Sequence, residues 1–481
     1  MNQWMIFFSL VMLASCSLTP EYERPDTERL LGEEFAQKRT TSKPEDLAAF
    51  HWWKNFNDPV INDFINAALE NNLDIKVAAA NVLETQALVQ SAVGSRWPEI
   101  GALVSGDRSF TGSSTGSSFN AGSDRLYTTT YVVGSSITWQ SDLFGRLRSN
   151  QKASIADWQA SQTDREAIMH TVIANVIRQR VELAIAMQRL SVAEDILKSR
   201  NSTLDIVKRR YSRGVHTTSA VDVKLARENI YSAEANIFAL QQNVSLAQHA
   251  LDILLGEKPK SLFSSTAELN VLPVLDDAVT GVPAQLLDRR PDLRAAEFRI
   301  KATNERVGVA IADLYPDLTI TGAGGWRDSE TSELFLSDTL FGSIMGELTQ
   351  TLFAGGRLRA EVDAAKARLE SQAHTYLGEV LQAIREVEDS LVQNHQLKDQ
   401  LEKVDQQVTE ARQAENLSRK RYSRGVENLL TVLETERRRQ NAEDSLLQVK
   451  LNYWNARIDL YLALGGDWLE DEYGRVVSVT K

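Results

Sequence analysis

The chain has 481 residues, with 53 Lys and Arg against 65 Asp and Glu, and a formal net charge of −12. This acidic balance argues against a nucleic-acid-binding protein, which normally shows a basic surface. One Cys, ten Pro and six His scattered along the chain exclude a disulfide scaffold and a Pro-rich linker, and they argue against a structural zinc site. Beyond the N-terminus, no run of about 18 apolar residues predicts a transmembrane helix.

The N-terminus has the features of a lipoprotein signal peptide over residues 1–15. Its apolar run, residues 4–14, is too short to cross a bilayer and has the length of a signal-peptide core. The run ends in Leu-Ala-Ser-Cys, which resembles a bacterial lipobox, so Cys16 is the predicted lipidation site. By the same resemblance, Ser17 directs the lipoprotein to the outer membrane. The alternative is an ordinary cleaved signal peptide with an incidental Cys.

The mature chain contains a tandem repeat. Arg-Tyr-Ser-Arg-Gly-Val occurs at residues 210–215 and again at 421–426, and Gly-Arg-Leu-Arg recurs at the same offset of 211 residues. Matching short motifs further upstream recur at an offset of about 218 residues. The first half therefore has seven more residues between Pro98 and Gly145 than the second half has in the corresponding interval. Because surface loops tolerate extra length, we expect a loop inside that interval.

Each half predicts a helix, two strands, a long helix, a turn and a returning helix. The predicted strands cover residues 98–111, 127–142, 316–328 and 340–353, and a Gly/Ser-rich loop covers 112–124. Apolar and polar side chains alternate along the strands, which is the period of a sheet with one apolar and one polar face. Such a sheet either packs on helices in a soluble protein or separates lipid from a lumen in a membrane. Periodicity alone does not decide between the two.

The long helices carry a coiled-coil pattern. Between Gly145 and Tyr211 there is neither Pro nor Gly, and this segment predicts a helix of about 100 Å. Apolar residues recur every seven positions from Met169 to Leu204, and the returning helix adds a seam of small residues. This pattern predicts a coiled coil or a helical barrel. Gly214 and Gly425 mark the two chain reversals, where a positive φ is least costly.

Five short motifs stand out beside the repeat. They are Trp-Trp-Lys-Asn-Phe-Asn-Asp-Pro at 52–59, Ala-Ala-Leu-Glu-Asn-Asn-Leu-Asp at 67–74, Arg-Arg-Pro-Asp-Leu-Arg-Ala-Ala-Glu at 289–297, Leu-Phe-Ala-Gly-Gly-Arg-Leu at 352–358 and Leu-Ala-Leu-Gly-Gly at 462–466. Together and in this order they resemble the outer-membrane efflux ducts of the TolC/OprM family, in particular its lipoprotein (NodT) branch.

The resemblance implies a mainly α fold with a membrane β-barrel, internally duplicated. Long antiparallel helical hairpins would form a periplasmic α-barrel, and four strands per chain would make a twelve-stranded barrel in a homotrimer. The expected segments are the signal peptide 1–15, lipid anchor and N-terminal equatorial segment 16–60, first repeat 61–256, equatorial linker 257–284, second repeat 285–465 and C-terminal equatorial segment 466–481.

The resemblance also implies a gate at the periplasmic tip of the hairpins. The positions that match the tip links and the constriction are Asp222, Arg421, Tyr422, Leu430 and Glu434. Arg421 would bind a carboxylate bidentately, with Asp222 as its partner. Leu430 would form an apolar constriction. Three copies of Glu434 would form a ring that favours cations and raises some of its own pKa values.

The implied function is a passive exit duct of a tripartite efflux pump that exports drugs or other small toxic compounds. The implied partners are outer-membrane lipid, a periplasmic adaptor (membrane fusion protein) and an inner-membrane transporter of the resistance-nodulation-division type. The expected adaptor-docking tips are Arg213, Gly214, Val215, Arg424, Gly425 and Val426. The chain would lie in the outer membrane, lipid-anchored, and extend into the periplasm.

Alternatives remain at this stage. The sequence has no zincin, Cys-x-x-Cys, Walker or nucleophile-elbow motif, so we expect no enzyme, cofactor, metal or nucleic-acid partner. A duct for type I protein secretion and a poreless periplasmic coiled-coil lipoprotein are the other functions that fit the helices. The periplasmic adaptor itself also carries a helical hairpin, but such an adaptor has one hairpin whereas this chain has two.

Overall fold

The computed structural model describes residues 18–27, 29–31, 52–56, 58–112, 125–216, 218–260, 272–273, 275 and 286–465. Its helices are α1 (Pro59–Asn71), α2 (Leu73–Gly94), α3 (Arg146–Ser212), α4 (Ala220–Leu254), α5 (Leu286–Arg289), α6 (Pro291–Ala312), α7 (Arg357–Ser423) and α8 (Leu429–Ala463), preceded by a 3-10 turn (Trp52–Phe56). Its strands are β1 (Glu99–Gly112), β2 (Arg125–Ser141), β3 (Asp317–Asp328) and β4 (Leu340–Thr349). The lipidation site predicted at Cys16, residues 113–124 of the Gly/Ser-rich loop and the segment after 465 lie outside the described residues.

The two repeats fold into hairpins of equal size. Helices α3 and α7 each have 67 residues, and the returning helices α4 and α8 each have 35. The predicted seam of α3 is buried at Val176, Leu183 and Leu204, as expected for apolar residues seven positions apart. The prediction of an internally duplicated chain with two long helical hairpins is therefore confirmed.

Tertiary contacts divide the chain into two compact units, and each unit takes segments from both repeats. One unit consists of Met1–Pro25, Val82–Ser161 and Ala296–Tyr376, as far as these are described. It contains all four strands listed above. The other consists of Asp26–Asn81, Gln162–Ala295 and Leu377–Lys481, again as far as described, and it contains both hairpin tips.

The four strands form one antiparallel sheet in the order β1-β2-β3-β4. Consecutive strands are neighbours, so within the described sheet β1 and β4 lie at the edges and have one unpaired side each. Several large apolar side chains of the edge strands are exposed, namely Ile100, Val104, Ile344 and Leu348. A sheet with open edges and exposed apolar side chains needs a further covering surface in its working state.

Two glycines allow β2 and β3 to approach closely. Gly134 is directly opposite Gly325 in the register. A Cβ at Gly325 would lie 2.3 Å from the carbonyl oxygen of Val133, and one at Gly134 would lie 2.6 Å from that of Gly324. Because these obstacles are backbone atoms, no side-chain rearrangement can relieve them.

The fourth strand is shorter than predicted. It ends at Thr349 instead of continuing to 353, because Thr349 pairs with Asp317, the first residue of β3. Among the described residues, no strand pairing of β4 continues beyond that pair. The chain then reverses through Gly355 and Gly356, both with positive φ, and α7 begins.

The first marker motif, residues 52–59, forms part of the core of the second unit. The ring of Trp52 stacks on that of Tyr461 with centroids 5.4 Å apart, and the ring of Phe56 stacks on that of Trp454 at 5.1 Å. Both partners lie near the C-terminal end of α8. The aromatic residues of the motif therefore attach the turn before α1 to the end of α8, which assigns them a structural role.

The motif at 289–297 has a comparable role. Arg290 forms ion pairs with Asp292 at 2.7 Å and with Glu386 at 2.8 Å, and it donates a hydrogen bond to the carbonyl of Ala463. These charged groups line a cavity of about 440 Å³. One guanidinium thus joins the start of α6 to α7 and to the end of α8.

Candidate functional site

The two hairpin turns have the same hydrogen-bond pattern. In the first, Gly214 N donates to Tyr211 O and Val215 N to Arg210 O, both at 3.1 Å. In the second, the equivalent bonds occur at offset 211, at 3.0 Å and 3.1 Å. The glycines have φ of 67° and 83°. This Schellman-type ending satisfies the last helix carbonyls and requires the left-handed conformation that Gly adopts without strain.

Each returning helix begins with a side-chain cap. Ser219 and Asp222 form a reciprocal capping box: Ser219 Oγ accepts from Asp222 N, and Asp222 Oδ2 accepts from Ser219 N at 2.7 Å. In the second hairpin Asn428 Oδ1 accepts from Thr431 N at 2.8 Å. Asp222 therefore holds the N-terminus of its own helix within the chain.

The pairing expected between Arg421 and Asp222 is not the one found within the chain. Arg421 Nε lies 3.4 Å from Glu427 Oε2, across the turn of its own hairpin, and its side chain is about half exposed. The physical reason is proximity, because Glu427 follows Arg421 through a tight turn whereas Asp222 is engaged in its capping box.

Tyr422 is the buried member of the predicted gate. Its side chain is 2% exposed, and the guanidinium of Arg210, from the other hairpin, lies 4.4 Å from the centroid of its ring. Arg210 also donates a hydrogen bond to the carbonyl of Tyr422. Burial raises the pKa of the Tyr422 phenol, and the nearby Asp222 carboxylate acts in the same direction. Asp222 and Tyr422 thus lie near each other within the chain.

Identical repeat residues have opposite environments. Arg210 is buried whereas its counterpart Arg421 is exposed, and Tyr422 is buried whereas its counterpart Tyr211 is 50% exposed. The sequence analysis did not select Arg210. The repeat would have allowed its selection, because Arg210 in the first half is equivalent to Arg421 in the second.

An apolar cluster joins the two hairpins behind the tips. It takes residues from α3, α4, α7 and α8, and its buried members are Leu204, Val207, Ala226, Ile230, Tyr422, Leu429 and Val432. Since every helix of the two hairpins contributes, the tip is one packed body within a chain.

Leu430 and Glu434 lie on the exposed face of α8, one turn apart. Leu430 is 64% exposed in the chain. Glu434 forms ion pairs with Arg438 at 2.7 Å and with Arg437 at 2.8 Å. Hydrogen bonds from Arg438 and Arg437 lower the pKa of Glu434. Within one chain two cations therefore accompany this carboxylate, and the raised pKa values expected for a ring of three copies stay a prediction.

Carboxylates that the sequence analysis did not select form a buried polar layer beyond the apolar cluster. Glu436 accepts a hydrogen bond from Thr203 at 3.0 Å, and Glu415 pairs with Arg439 at 2.8 Å. Arg439 also reaches Glu443, at 3.5 Å. Burial raises the pKa of Glu436, with Glu415 acting in the same direction. This layer links α3, α7 and α8 through polar contacts, which are directional.

The expected adaptor-docking residues are accessible. Arg213, Gly214, Arg424, Gly425 and Val426 are exposed, and Val215 is half-buried. Among the described residues, no group of His, Cys, Asp and Glu has an arrangement that could hold a metal ion. None of the helices in the described segments carries the apolar stretch that a bilayer-spanning helix requires.

Comparison with known proteins agrees with this architecture. A sequence model described as outer membrane efflux protein matches residues 64–257 and 282–466, one match for each repeat. The chain belongs to the outer membrane efflux protein family. The resemblance derived from the five motifs is therefore confirmed, and this family consists of outer-membrane efflux channels.

Individual relatives align along nearly the whole chain. The toluene efflux pump outer membrane protein TtgF of Pseudomonas putida is 31% identical over 469 residues, covering 95% of both chains. The pyoverdine export outer membrane protein OpmQ of Pseudomonas aeruginosa is 30% identical over 424 residues, covering 88% of each. The outer membrane channel MtrE of Neisseria gonorrhoeae, solved in its open state, superimposes with a TM-score of 0.79 at 27% identity, covering 94% of this chain and 98% of that one.

Proposed function

We propose that this protein is the outer-membrane exit duct of a tripartite efflux pump and exports drugs or other small toxic compounds passively. The observation that carries the proposal is the combination, in one chain, of two long helical hairpins with a four-stranded sheet whose edges are open. Relatives named for toluene efflux and for pyoverdine export support the efflux role. The energy for transport then comes from a partner in the inner membrane.

The working state is a homotrimer. Three sheets of four strands, joined edge to edge, make a closed twelve-stranded barrel in which β1 of one protomer pairs with β4 of the next. Closure removes the unpaired strand edges and covers the exposed apolar side chains of β1 and β4 with lipid. Lipidation of Cys16, after removal of residues 1–15, adds an anchor in the outer membrane.

The gate is formed by the tips of the second hairpin. Leu430, exposed in the chain, would narrow the lumen when three copies meet, and Glu434 would lie one turn above it. Tyr422 and Arg210 keep the second hairpin packed on the first. Opening then requires the contacts of Arg421 and Asp222 at the tip to rearrange.

A periplasmic adaptor and an inner-membrane transporter of the resistance-nodulation-division type complete the pump. The exposed turns around Gly214 and Gly425 are the surfaces offered to the adaptor. An adaptor that binds the open tip more tightly than the closed tip shifts the population towards the open state.

Single-channel conductance of the purified trimer in a planar lipid bilayer tests this function. We expect a small wild-type conductance that rises in the double variant Arg421→Ala with Glu434→Ala. The matched control is Lys198→Ala with Asp195→Ala, which removes an exposed ion pair of 3.0 Å from α3. Inserted trimers without conductance would refute the duct. If all three proteins had equal conductance, the proposed duct function would stand, but the assignment of the gate to Arg421 and Glu434 would be refuted.

A further inference from the structure

Arg437 and Arg438 follow the predicted constriction on the same exposed face of α8. Residues three and four positions apart are neighbours on a helix surface, so Leu430, Glu434 and the two arginines form a continuous stripe. The arginine side chains are 63% and 73% exposed, and that of Glu434 is 40% exposed. This stripe is therefore in water or in a lumen, not in the core of the chain.

The charges of the stripe do not cancel. Both oxygens of Glu434 accept hydrogen bonds from Arg437, and Oε1 also accepts one from Arg438 Nε. One carboxylate thus accompanies two guanidinium groups, which leaves one net positive charge per chain at this level. Both ion pairs lie within one helix, so they persist in an assembly without needing any contact from a neighbour.

The surrounding part of the hairpin also has a net positive charge. Residues 416–438 contain six Lys and Arg against three Asp and Glu, although the whole chain has a net charge of −12. One of the three acids, Glu436, is buried against Thr203. Lys420, Arg421 and Arg424 add exposed positive charge at the turn of the same hairpin, where Arg421 is paired with Glu427.

We infer that Arg437 and Arg438 make the constriction select anions, so that small organic anions are the favoured permeant class. This inference rests on the proposed function, because it requires the face of Leu430 to line the lumen. Packing the stripe into a dry protomer interface would bury uncompensated charge, which costs several kcal/mol per ion. Rings of Arg or Lys in a narrow pore attract anions, whereas rings of Asp or Glu attract cations. This inference is the opposite of the cation-favouring Glu434 ring that the resemblance implies.

The test is the reversal potential of single trimers in a planar bilayer with a tenfold KCl gradient, repeated with potassium benzoate and with choline chloride. Wild type should pass chloride and benzoate in preference to potassium and choline. Arg437→Gln with Arg438→Gln should reverse the sign of the reversal potential, because Glu434 is then uncompensated. Glu434→Gln should strengthen the anion preference. The control Lys198→Gln with Lys208→Gln removes two exposed cations from α3 and should leave the selectivity unchanged.

The outcomes separate the two proposals. Trimers that insert but conduct nothing refute the duct and the inference with it. A conducting wild type that prefers cations refutes the inference alone. If the wild type conducts and prefers anions, and the double arginine variant keeps the same selectivity, other residues determine the anion preference. This result also refutes the inference. Because these side chains are exposed and lie outside the apolar cluster, the variants should assemble as wild type does.

Discussion

The guanidinium of Arg210 lies over the ring of Tyr422 and donates to its backbone carbonyl, so one side chain of the first hairpin binds both the side chain and the backbone of the second. Both side chains are buried, since Arg210 and Tyr422 are each less than a tenth exposed. This pair fixes the second hairpin on the first within a chain.

Replacing Arg210 by Ala should loosen the second hairpin. A desolvated cation–π contact is worth about 2 kcal/mol and a charged hydrogen bond about 1.5–3 kcal/mol, so we expect a local loss of roughly 2–4 kcal/mol. The measurement is hydrogen exchange of the backbone amides at the C-terminal ends of α3 and α7. Arg421→Ala, at the equivalent but exposed position, should cost less than about 1 kcal/mol in the same assay. Equal effects of the two variants would contradict the asymmetry of the repeats.

Glu436 should make the trimer less stable at neutral pH. Burial raises the pKa of Glu436 in the folded protein above its unfolded value of about 4.3. The contribution of the protonated side chain to the free energy of unfolding is therefore complete below a pH of about 4.3, and it is lost as the pH rises through the folded pKa. Glu436→Gln removes this loss and should raise the melting temperature at pH 7 more than at pH 4.5. Thermal unfolding followed by circular dichroism at both pH values measures the two melting temperatures.

The control for this experiment is Glu443→Gln. Glu443 pairs with Arg412 at 2.7 Å and lies 3.5 Å from Arg439, so neutralising it removes the partner of Arg412 and one of the two carboxylates beside Arg439. We therefore expect a lower melting temperature at pH 7. If Glu436→Gln also lowered the melting temperature at pH 7, the carboxylate would be a net stabilising group and the argument from burial would fail.

Gly325→Ala should prevent correct pairing of β2 with β3. The added Cβ would lie 2.3 Å from Val133 O and 2.4 Å from the Cα of Gly134, which are backbone atoms. We expect at least a tenfold fall in folded trimer, in line with a cost of more than about 1.4 kcal/mol. Heat-modifiable migration on gels measures the trimer. Gly342→Ala in β4 meets no atom within 4 Å and should assemble normally. Normal assembly of Gly325→Ala would show that the two strands can separate.

Asp58→Ala should destabilise the second unit. Asp58 caps α1 by accepting from Val60 N at 2.9 Å, and its Oδ2 lies 3.3 Å from Arg180, whose side chain is fully buried. Removing one partner of a buried ion pair costs about 3–5 kcal/mol, because the other charge is left uncompensated. Thermal unfolding of the detergent-solubilised trimer measures the effect. Asp195→Ala, in the exposed pair with Lys198, should shift the transition little.

The extended elements were predictable because their signals are local. Absence of Pro and Gly, a seven-residue apolar period and strict alternation define helices and strands without reference to distant residues. The partner of Arg421 was not predictable in this way, since it depends on how one turn brings Glu427 back towards the helix. Nor could the sequence distinguish Arg210 from Arg421, because the repeats are identical there and only the packing of one hairpin on the other separates them.

The ion pairs that neutralise Glu434, unlike the contacts of Arg421 and Arg210, could have been predicted from the sequence. Two arginines at positions three and four beyond a glutamate on a helix predict ion pairs by spacing alone. Considering Glu434 as an isolated ring position omitted these neighbours. Charge at a constriction is set by a whole helix turn and not by one residue.

The open edges of the sheet constrain how the protein is made. A newly translocated chain presents the unpaired sides of β1 and β4, together with apolar side chains such as Ile344, before any partner is present. Such a surface associates with any extended segment nearby, so a free monomer has a short useful life in the periplasm. We therefore expect trimer closure to coincide with delivery to lipid. Synthesis faster than that delivery should yield cross-paired aggregate, not a pool of soluble monomer.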